Sequence, residues 1–545
     1  MRADERWRSI PGLVLGAAER FGDAEAIVDG DLRLGFAGLA DAAEASTRAA
    51  IAAGMTPGDT AAIWAPNIYE WVVAALGVHG AGGVLVPLNT RFKGHEAADI
   101  IGRSKAKMLF CVNGFLGTDY PGLLRTAGVE LPHLERTVVL RGDPAEGAES
   151  WGDYLGRGED VPASTARRVA AAVDSAQLSD IIFTSGTTGR PKGAMATHAQ
   201  TLRVFETWAD VVGLRAGDRY LIINPFFHTF GYKAGWVACL LKGATMLPQA
   251  VFDVADAMTR IGAERVTVLP GPPTLFQSIL DHPARADHDL SSLRLAVTGA
   301  AVVPVALIRR MRDELTFQTI ITAYGLTEAT GTVTMCRPED DPETIAATSG
   351  RAIPDTEVTI VDDAGEEVPP GQPGEVVTRG YHVMQGYLDD EAATAEAVDA
   401  DGWLHTGDIG VMDERGYLRI TDRKKDLFIV GGFNAYPAEI EGSLLRHPAV
   451  SQVAVIGVAD DRMGEVGMAY VVPRPGQVVD PDELIAWARA EMANYKVPRR
   501  VEVVDALPLN ASGKVLKTEL RRRAGALDPD GSAGVPVDVD LPPAG

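Results

Sequence analysis

"FTSGTTGRPKGAMATH" occupies Phe183 to His198 and follows directly on the apolar run Ile181-Ile182. A Walker A loop would end in Gly-Lys followed by Ser or Thr. Here Pro191 precedes Lys192 and Gly193 follows it, so an ordinary P-loop does not fit. The ingredients of a phosphate clamp are nevertheless present. Gly186, Gly189 and Gly193 allow positive φ and close backbone approach. Ser185, Thr187 and Thr188 offer hydroxyls, and Lys192 offers charge. Thr197 and Gln200 make a Thr-x-x-Gln capping box for a helix over "QTLRVFETWADVV". The stretch therefore predicts strand, glycine-hydroxyl loop and helix, an order suited to phosphate. A plain surface loop is the competing reading.

Working outward, strand-like runs such as "LIINPFF" (221–227), "VTVLP" (266–270) and "RLAVTGA" (294–300) alternate with helical patterns such as "DVADAMTRIGA" and "PTLFQSILDH". Alternation on this scale predicts an α/β fold of parallel sheets covered by helices. After about residue 350 the texture changes to hairpins with Gly/Pro turns, a small β-rich unit. "GYLRITDRKKDLFIVGG" gives two strands around a charged break at Thr421 to Asp426. Beyond it, "PAEIEGSLLRH", "VSQVAVIGVAD", "GMAYVVP", "PDELIAWARAEM" and "RRVEVVDAL" read as helix, two strands, helix and strand, a compact α+β domain. The tail after Asp528 is rich in Pro, Gly and Asp, and disorder is expected there.

The whole chain narrows the function classes. With 545 residues, two or more domains are expected. A formal net charge of −23 argues against a general nucleic-acid binder, but not against a local nest of N–H groups holding one nucleotide. Cys111, Cys239 and Cys336 lack metal-ligand or CxxC spacing and read as buried thiols of a reducing compartment. "MRADERWRSIPG" lacks the apolar core of a signal peptide, and Trp71 to Val86 is too short and broken to span a bilayer. That run reads as a core helix leading into a strand, and the protein as cytoplasmic without stable membrane insertion.

The opening loop resembles the signature of the adenylate-forming superfamily: acyl-CoA synthetases, peptide-synthetase adenylation domains and luciferases. "AYGLTEATG" (323–331), "GEVVTRG" (374–380), "GWLHTGDIG" (402–410), "DRKKDLFIVGGFNAYPAEIE" (422–441) and "NASGKVLK" (510–517) resemble later motifs of that family, in its order. The resemblance implies a large N-terminal AMP-binding domain over 1–424, a mobile C-terminal domain over 425–527 and a tail over 528–545. It implies ATP, Mg²⁺ and coenzyme A as the small-molecule partners, and it is compatible with a homodimer.

By the same resemblance, Thr184 to Lys192 would cradle the β- and γ-phosphates. Glu328, with Thr184, would hold Mg²⁺, which prefers oxygen ligands. Thr327 would touch the α-phosphate. Tyr324 and Gly325 would lie against adenine, with Gly299, Ala300 and Ala301 opposite. Asp408 would accept from both ribose hydroxyls, near Arg423. Lys514 would stabilise the transition state as a point charge. Lys425 would be the hinge of a domain rotation, after which Gly431 and Gly432 admit the pantetheine arm. Each residue also has an ordinary reading: Asp408 as a turn, Glu328 as a cap, Tyr324 as core, Lys514 as a solvated lysine.

Only Val515 to Gly545 follow Lys514, a poor core for a carrier domain, so an external acceptor is expected; the resemblance to acyl-CoA ligases implies free CoA, with a separate acyl carrier protein as the alternative. The acid pocket is expected from "NPFFHTFGYKAGW" and from Val297 to Pro304. His228 would gate it; Phe230, Gly231, Lys233, Trp236 and Val302 would line it, with Lys233 either meeting a substrate oxygen or pointing to solvent. "INPFFHTFGYKAG", "VLPGPPTLFQSILDHPA" and "TMCRPEDD" further resemble bacterial ligases for a bicyclic indanedione-propanoate from steroid breakdown. A medium-chain fatty acyl-CoA ligase is the second reading. A luciferase-like oxygenase and a non-catalytic nucleotide binder are the readings from other classes.

Overall fold

The computed structural model describes residues 1–184, 191–299, 303–423, 426–430, 433–460, 463–492, 494–509 and 515–525. The chain divides into two compact units: Met1–Thr406 with Gly410–Arg419, and Gly407–Ile409 with Ile420 onward.

The first unit carries two large sheets with parallel centres. One runs Gly386–Tyr387, Lys192–Thr197, Leu178–Thr184, Val84–Pro87, Thr60–Trp64, Met108–Cys111, Arg136–Val139 and Glu149–Ser150. The other begins at Arg351–Ala352, passes through Thr319–Tyr324, Leu295–Gly299, Val268–Pro270 and Arg219–Ile222, and ends at Leu32–Gly35. The helix Tyr69–Gly80 is buried on all sides, which is why its sequence is apolar all round rather than amphipathic. It leads into the buried strand Val84–Pro87 as the sequence predicts. All three cysteines are buried and free. A smaller sheet has the strand order Thr356–Val361, Pro373–Gly380, Leu404–Met412, Leu418–Arg423, the β-rich portion read after residue 350.

The second unit is α+β. Its strands Val450–Asp460 and Gly464–Pro473 form a long antiparallel ribbon, with Arg500–Val503 parallel to the latter. Alternation along the ribbon splits its side chains into two cores. Val453, Val455, Ala469 and Val471 face one side with Leu444 and Leu484; Ala454, Ile456, Met468 and Tyr470 face the other with Leu520. Among the described residues no helix is long and apolar enough to cross a membrane.

The opening stretch folds differently from its prediction in one respect. Between loop and helix lies a strand, Lys192–Thr197, antiparallel to Leu178–Thr184 with Thr184 opposite Lys192. The helix His198–Val212 therefore begins one strand length beyond Lys192, ~17 Å at ~3.3 Å per residue. Its capping box is present, Thr197 accepting from the Gln200 amide, with the strand Lys192–Thr197 standing between Lys192 and the helix N-terminus.

Candidate functional site

Four side chains from three parts of the first unit meet where the paired strands Leu178–Thr184 and Lys192–Thr197 end and begin. Thr184, the last residue of its strand, donates through Oγ1 to Glu328 Oε1 at 3.0 Å. The Tyr387 hydroxyl donates to the same oxygen, also at 3.0 Å. Lys192 Nζ lies 5.1 Å from the centroid of the Tyr387 ring. Burial, and next the Glu328 charge, push the Tyr387 phenol far above its ordinary value, so it remains a donor at any working pH. Among the described residues Glu328 Oε2 accepts no hydrogen bond.

The motif "AYGLTEATG" explains how Glu328 arrives. The strand Thr319–Tyr324 ends at the half-buried Tyr324, which packs toward Ala329 and Val333. A single 3₁₀ turn, Thr327–Ala329, then projects Glu328 toward Thr184. Thr330 takes a left-handed conformation, φ 55°, and its hydroxyl donates to the His382 carbonyl at 2.7 Å. The Glu328 carbonyl accepts from Met384 N at 2.8 Å. One carboxylate with an uncommitted oxygen beside a hydroxyl suits Mg²⁺, which takes few protein ligands and bridges phosphates. No group of three or more His, Cys, Asp or Glu that could cage a metal occurs among the described residues.

The segment carrying His228 is pinned from behind. Asn67, buried, donates to the Ile222 and Asn224 carbonyls at 3.0 and 2.9 Å and accepts from Phe226 N at 2.8 Å. His228 caps the next turn, its Nδ1 accepting from Phe230 N at 3.3 Å. Gly231 packs against that bend: a Cβ there would fall 2.1 Å from the Asn224 oxygen and 2.2 Å from the Pro225 oxygen. His228 and Phe230 are half-buried.

Lys233 and Trp236 do not line an open pocket. They lie in a π-helical turn, Tyr232–Val237, with Lys233 1% and Trp236 0% exposed. Lys233 Nζ sits 2.8 Å from Asp180 Oδ1, itself 1% exposed, so this lysine does not point to solvent and its ammonium meets a buried carboxylate. Burial lowers its pKa and Asp180 opposes that shift. Trp236 stacks on Tyr232 at 4.9 Å and meets Trp71 edge-on at 6.2 Å, so it is core. The cause is the helix Tyr69–Gly80, against which these aromatic rings pack.

Asp408, 5% exposed, lies in the strand Leu404–Met412, and by packing Gly407–Ile409 group with the second unit. Arg423 ends the strand Leu418–Arg423; its side chain lies outside the described set. Also outside the described residues are Ser185, Gly186, Thr187, Thr188, Gly189, Ala300, Ala301, Val302, Lys425, Gly431, Gly432 and Lys514. Asp180, Asn67 and Tyr387 were missed by sequence reasoning. Only "IIF" with a charge just upstream hinted at a buried Asp180; nothing local marks the other two.

Fold and site define a nucleotide-using α/β enzyme with a separate α+β unit. The AMP-binding enzyme model matches residues 16–388, and the AMP-binding enzyme C-terminal domain model matches 439–514. The chain belongs to this family and is an AMP-forming acyl-CoA ligase, using ATP and CoA. It is 51% identical, over 95% of its length and 99% of the relative's, to the 3-[(3aS,4S,7aS)-7a-methyl-1,5-dioxo-octahydro-1H-inden-4-yl]propanoyl:CoA ligase of Rhodococcus jostii (strain RHA1). The enzyme of the same name from Mycobacterium tuberculosis (strain ATCC 25618 / H37Rv) is likewise 51% identical, over 94% of this chain and 98% of that one. Among solved structures, the anthranilate CoA ligase AuaEII in complex with anthranoyl-AMP superposes with a TM-score of 0.86 at 27% identity, covering 96% of this chain and 99% of that one.

Proposed function

We propose that this protein activates a bicyclic keto-propanoate, the methyl-dioxo-octahydroindenyl propanoate class, as its acyl-adenylate and transfers it to CoA. The observation that carries the reading is 51% identity over nearly the whole chain to ligases named for that acid. The first half-reaction brings a carboxylate to a polyanion, so charge must be neutralised before attack. Lys192 and the Thr184 hydroxyl supply part of that at the mouth of the loop. Thr184 and Glu328 would hold Mg²⁺, whose chemistry here is to neutralise phosphate charge. Tyr324 would face adenine and Asp408 the ribose. His228, on a turn pinned by Asn67, would border the acid. Lys514 would steady the reacting phosphate and carboxylate, and the domain 425–527 would turn about Lys425 to bring Gly431 and Gly432 to the thioester step. We place the reaction in the cytoplasm, where ATP and CoA are supplied.

The test is CoA-dependent AMP formation across straight-chain acids, benzoates and bicyclic keto-propanoates. Preference for the bicyclic acid supports the reading. Preference for medium straight chains keeps the ligase chemistry and overturns the substrate. The role of Lys514 is checked with Lys514→Ala, expected to lose adenylate formation by on the order of 10²-fold while sparing thioester formation from supplied acyl-adenylate. Equal loss of both steps overturns it.

A further inference from the structure

We propose that Tyr387 is a positioning residue for ATP·Mg²⁺, fixing Glu328 and Lys192 in a single arrangement; this rests on the ligase reading above. Tyr387 sits on a two-residue strand, Gly386–Tyr387, that pairs with the strand beginning at Lys192: Ala194 opposes Tyr387 and Met195 opposes Gly386. Leu388 N donates to the Gly193 carbonyl at 2.8 Å and Gln385 N to the Met195 carbonyl at 2.9 Å. The ring is therefore carried by the same ladder that carries Lys192. Two residues upstream of Gly386, Met384 N grips the Glu328 carbonyl. One short segment thus spans both charged groups.

The hydrogen bonds divide the two oxygens of the Glu328 carboxylate. Both hydroxyl donors, Thr184 and Tyr387, meet Oε1. A carboxylate held by one donor can rotate about it; two donors converging on one oxygen from different strands fix its plane. Oε2 is left uncommitted among the described residues, presented for a cation. The ring face, meanwhile, holds the Lys192 ammonium 5.1 Å from its centroid, limiting where that long side chain can point. Gly386 makes this placement feasible. Its φ is 135°, and a Cβ would come within 3.0 Å of the Thr394 side chain, whose hydroxyl accepts from Tyr387 N at 2.8 Å. The ring's position is thus set by backbone pairing, and its hydroxyl is left to orient Glu328.

The experiment uses the full chain and Tyr387→Phe, which removes one oxygen and keeps the ring. ATP affinity is measured by calorimetry with and without Mg²⁺, alongside KM for ATP, KM for the acid, and the urea midpoint. The expected result is that Mg²⁺ improves ATP binding about tenfold less in the variant than in the wild type, the size of one hydrogen bond to a charged group. KM for ATP rises in parallel, while metal-free ATP affinity, KM for the acid and the urea midpoint stay put. A variant in which Mg²⁺ improves ATP binding as much as in wild type overturns the proposal. So does a loss that moves both KM values together with a lowered urea midpoint, which is the mark of a structural role alone. Tyr387→Leu adds a second arm: losing the ring as well, it should also weaken metal-free ATP binding through a freed Lys192, and metal-free affinity equal to wild type would overturn the part assigned to the ring. Failure of the ligase reading would appear separately, as no acid-dependent pyrophosphate from the wild type with any acid, and the calorimetric comparison still decides the role of Tyr387.

Discussion

The corner around Glu328 and the interior around Lys233 each set a carboxylate near a lysine, under opposite conditions. At the corner, Lys192 and Glu328 are half-buried, and Glu328 is bonded to hydroxyls rather than to the lysine. In the interior, Lys233 and Asp180 are almost fully buried, 2.8 Å apart, and Asp180 also accepts from Ser179 Oγ at 2.6 Å. Charges held by neutral donors near solvent remain able to meet a ligand's charge. Charges taken out of water are committed to each other, because separating them leaves an uncompensated ion in low dielectric. Two lysines, one expected from the sequence at phosphate and the other either at a substrate oxygen or in solvent, are thereby sorted into two environments by burial.

The sharpest way to break this contrast is Lys233→Met, which strands Asp180. A loss of about 3–5 kcal/mol in urea unfolding is expected, with much of it restored by removing both charges in Asp180→Leu/Lys233→Met. Equal stability of the single variant and wild type would mean that the interior pair does not behave as buried. Next comes the imidazole beside this pair. His79 Nε2 lies 3.1 Å from the Tyr232 hydroxyl, and its pKa is pushed down to about 3, by burial first, against an opposing interaction with the Gly83 backbone carbonyl, with Lys233's charge adding to the fall. The folded protein therefore refuses a proton that the unfolded chain accepts at about 6.5, so the contribution is full above that pH and is lost as pH falls toward about 3. His79→Gln should lose less stability than wild type between about pH 7 and about pH 5, the upper part of that window; parallel losses would count against it.

The corner should behave in reverse. Glu328→Gln keeps an oxygen for both hydroxyls, so unfolding should shift by no more than about 0.5 kcal/mol. Acid-dependent pyrophosphate release should nevertheless fall on the order of 10²-fold. A variant that lost stability but kept turnover would erase the distinction between the two regions. Between them in character lies Gly231→Ala, whose methyl would strike the Asn224 and Pro225 carbonyls. A cost of about 1–3 kcal/mol is expected, with a raised KM for the acid because His228 rides on the same bend. An unchanged KM at reduced stability would separate the bend from the acid site.

The fold class was legible because strand and helix signals alternate at α/β spacing, and because "DVADAMTRIGA" and "PTLFQSILDH" carry their own start signals. Asp253 caps the helix Val254–Glu264, and prolines open Pro273–Leu280. The strand Lys192–Thr197 was overlooked because its glycine and alanines are weak strand formers, selected here by pairing with Leu178–Thr184. Glu328 and Thr184 were paired only through the resemblance, as residues that would hold Mg²⁺; their hydrogen bond spans 144 positions and no local pattern encodes it. Lys233 misled because a charged residue in an aromatic run suggests a ligand, whereas its partner Asp180 lies far upstream, on the strand that leads into the loop.

The segment before Tyr387 is tied down almost wholly through main-chain atoms. The Val383 carbonyl accepts from the Gln200 side chain, Met384 N reaches the Glu328 carbonyl, and Gln385 N reaches the Met195 carbonyl. Main-chain anchors are indifferent to side-chain identity. The exposed Gln385 can therefore be exchanged in a library while the tyrosine keeps its place, whereas Val383 packs on the cluster of Ala329, Val333 and Leu404. Gly386 has no such freedom, since a Cβ there would come within 3.0 Å of the Thr394 side chain, and Met384 is buried. A chain of this kind offers a permissive site for inserting reporter side chains within a few residues of the ATP corner.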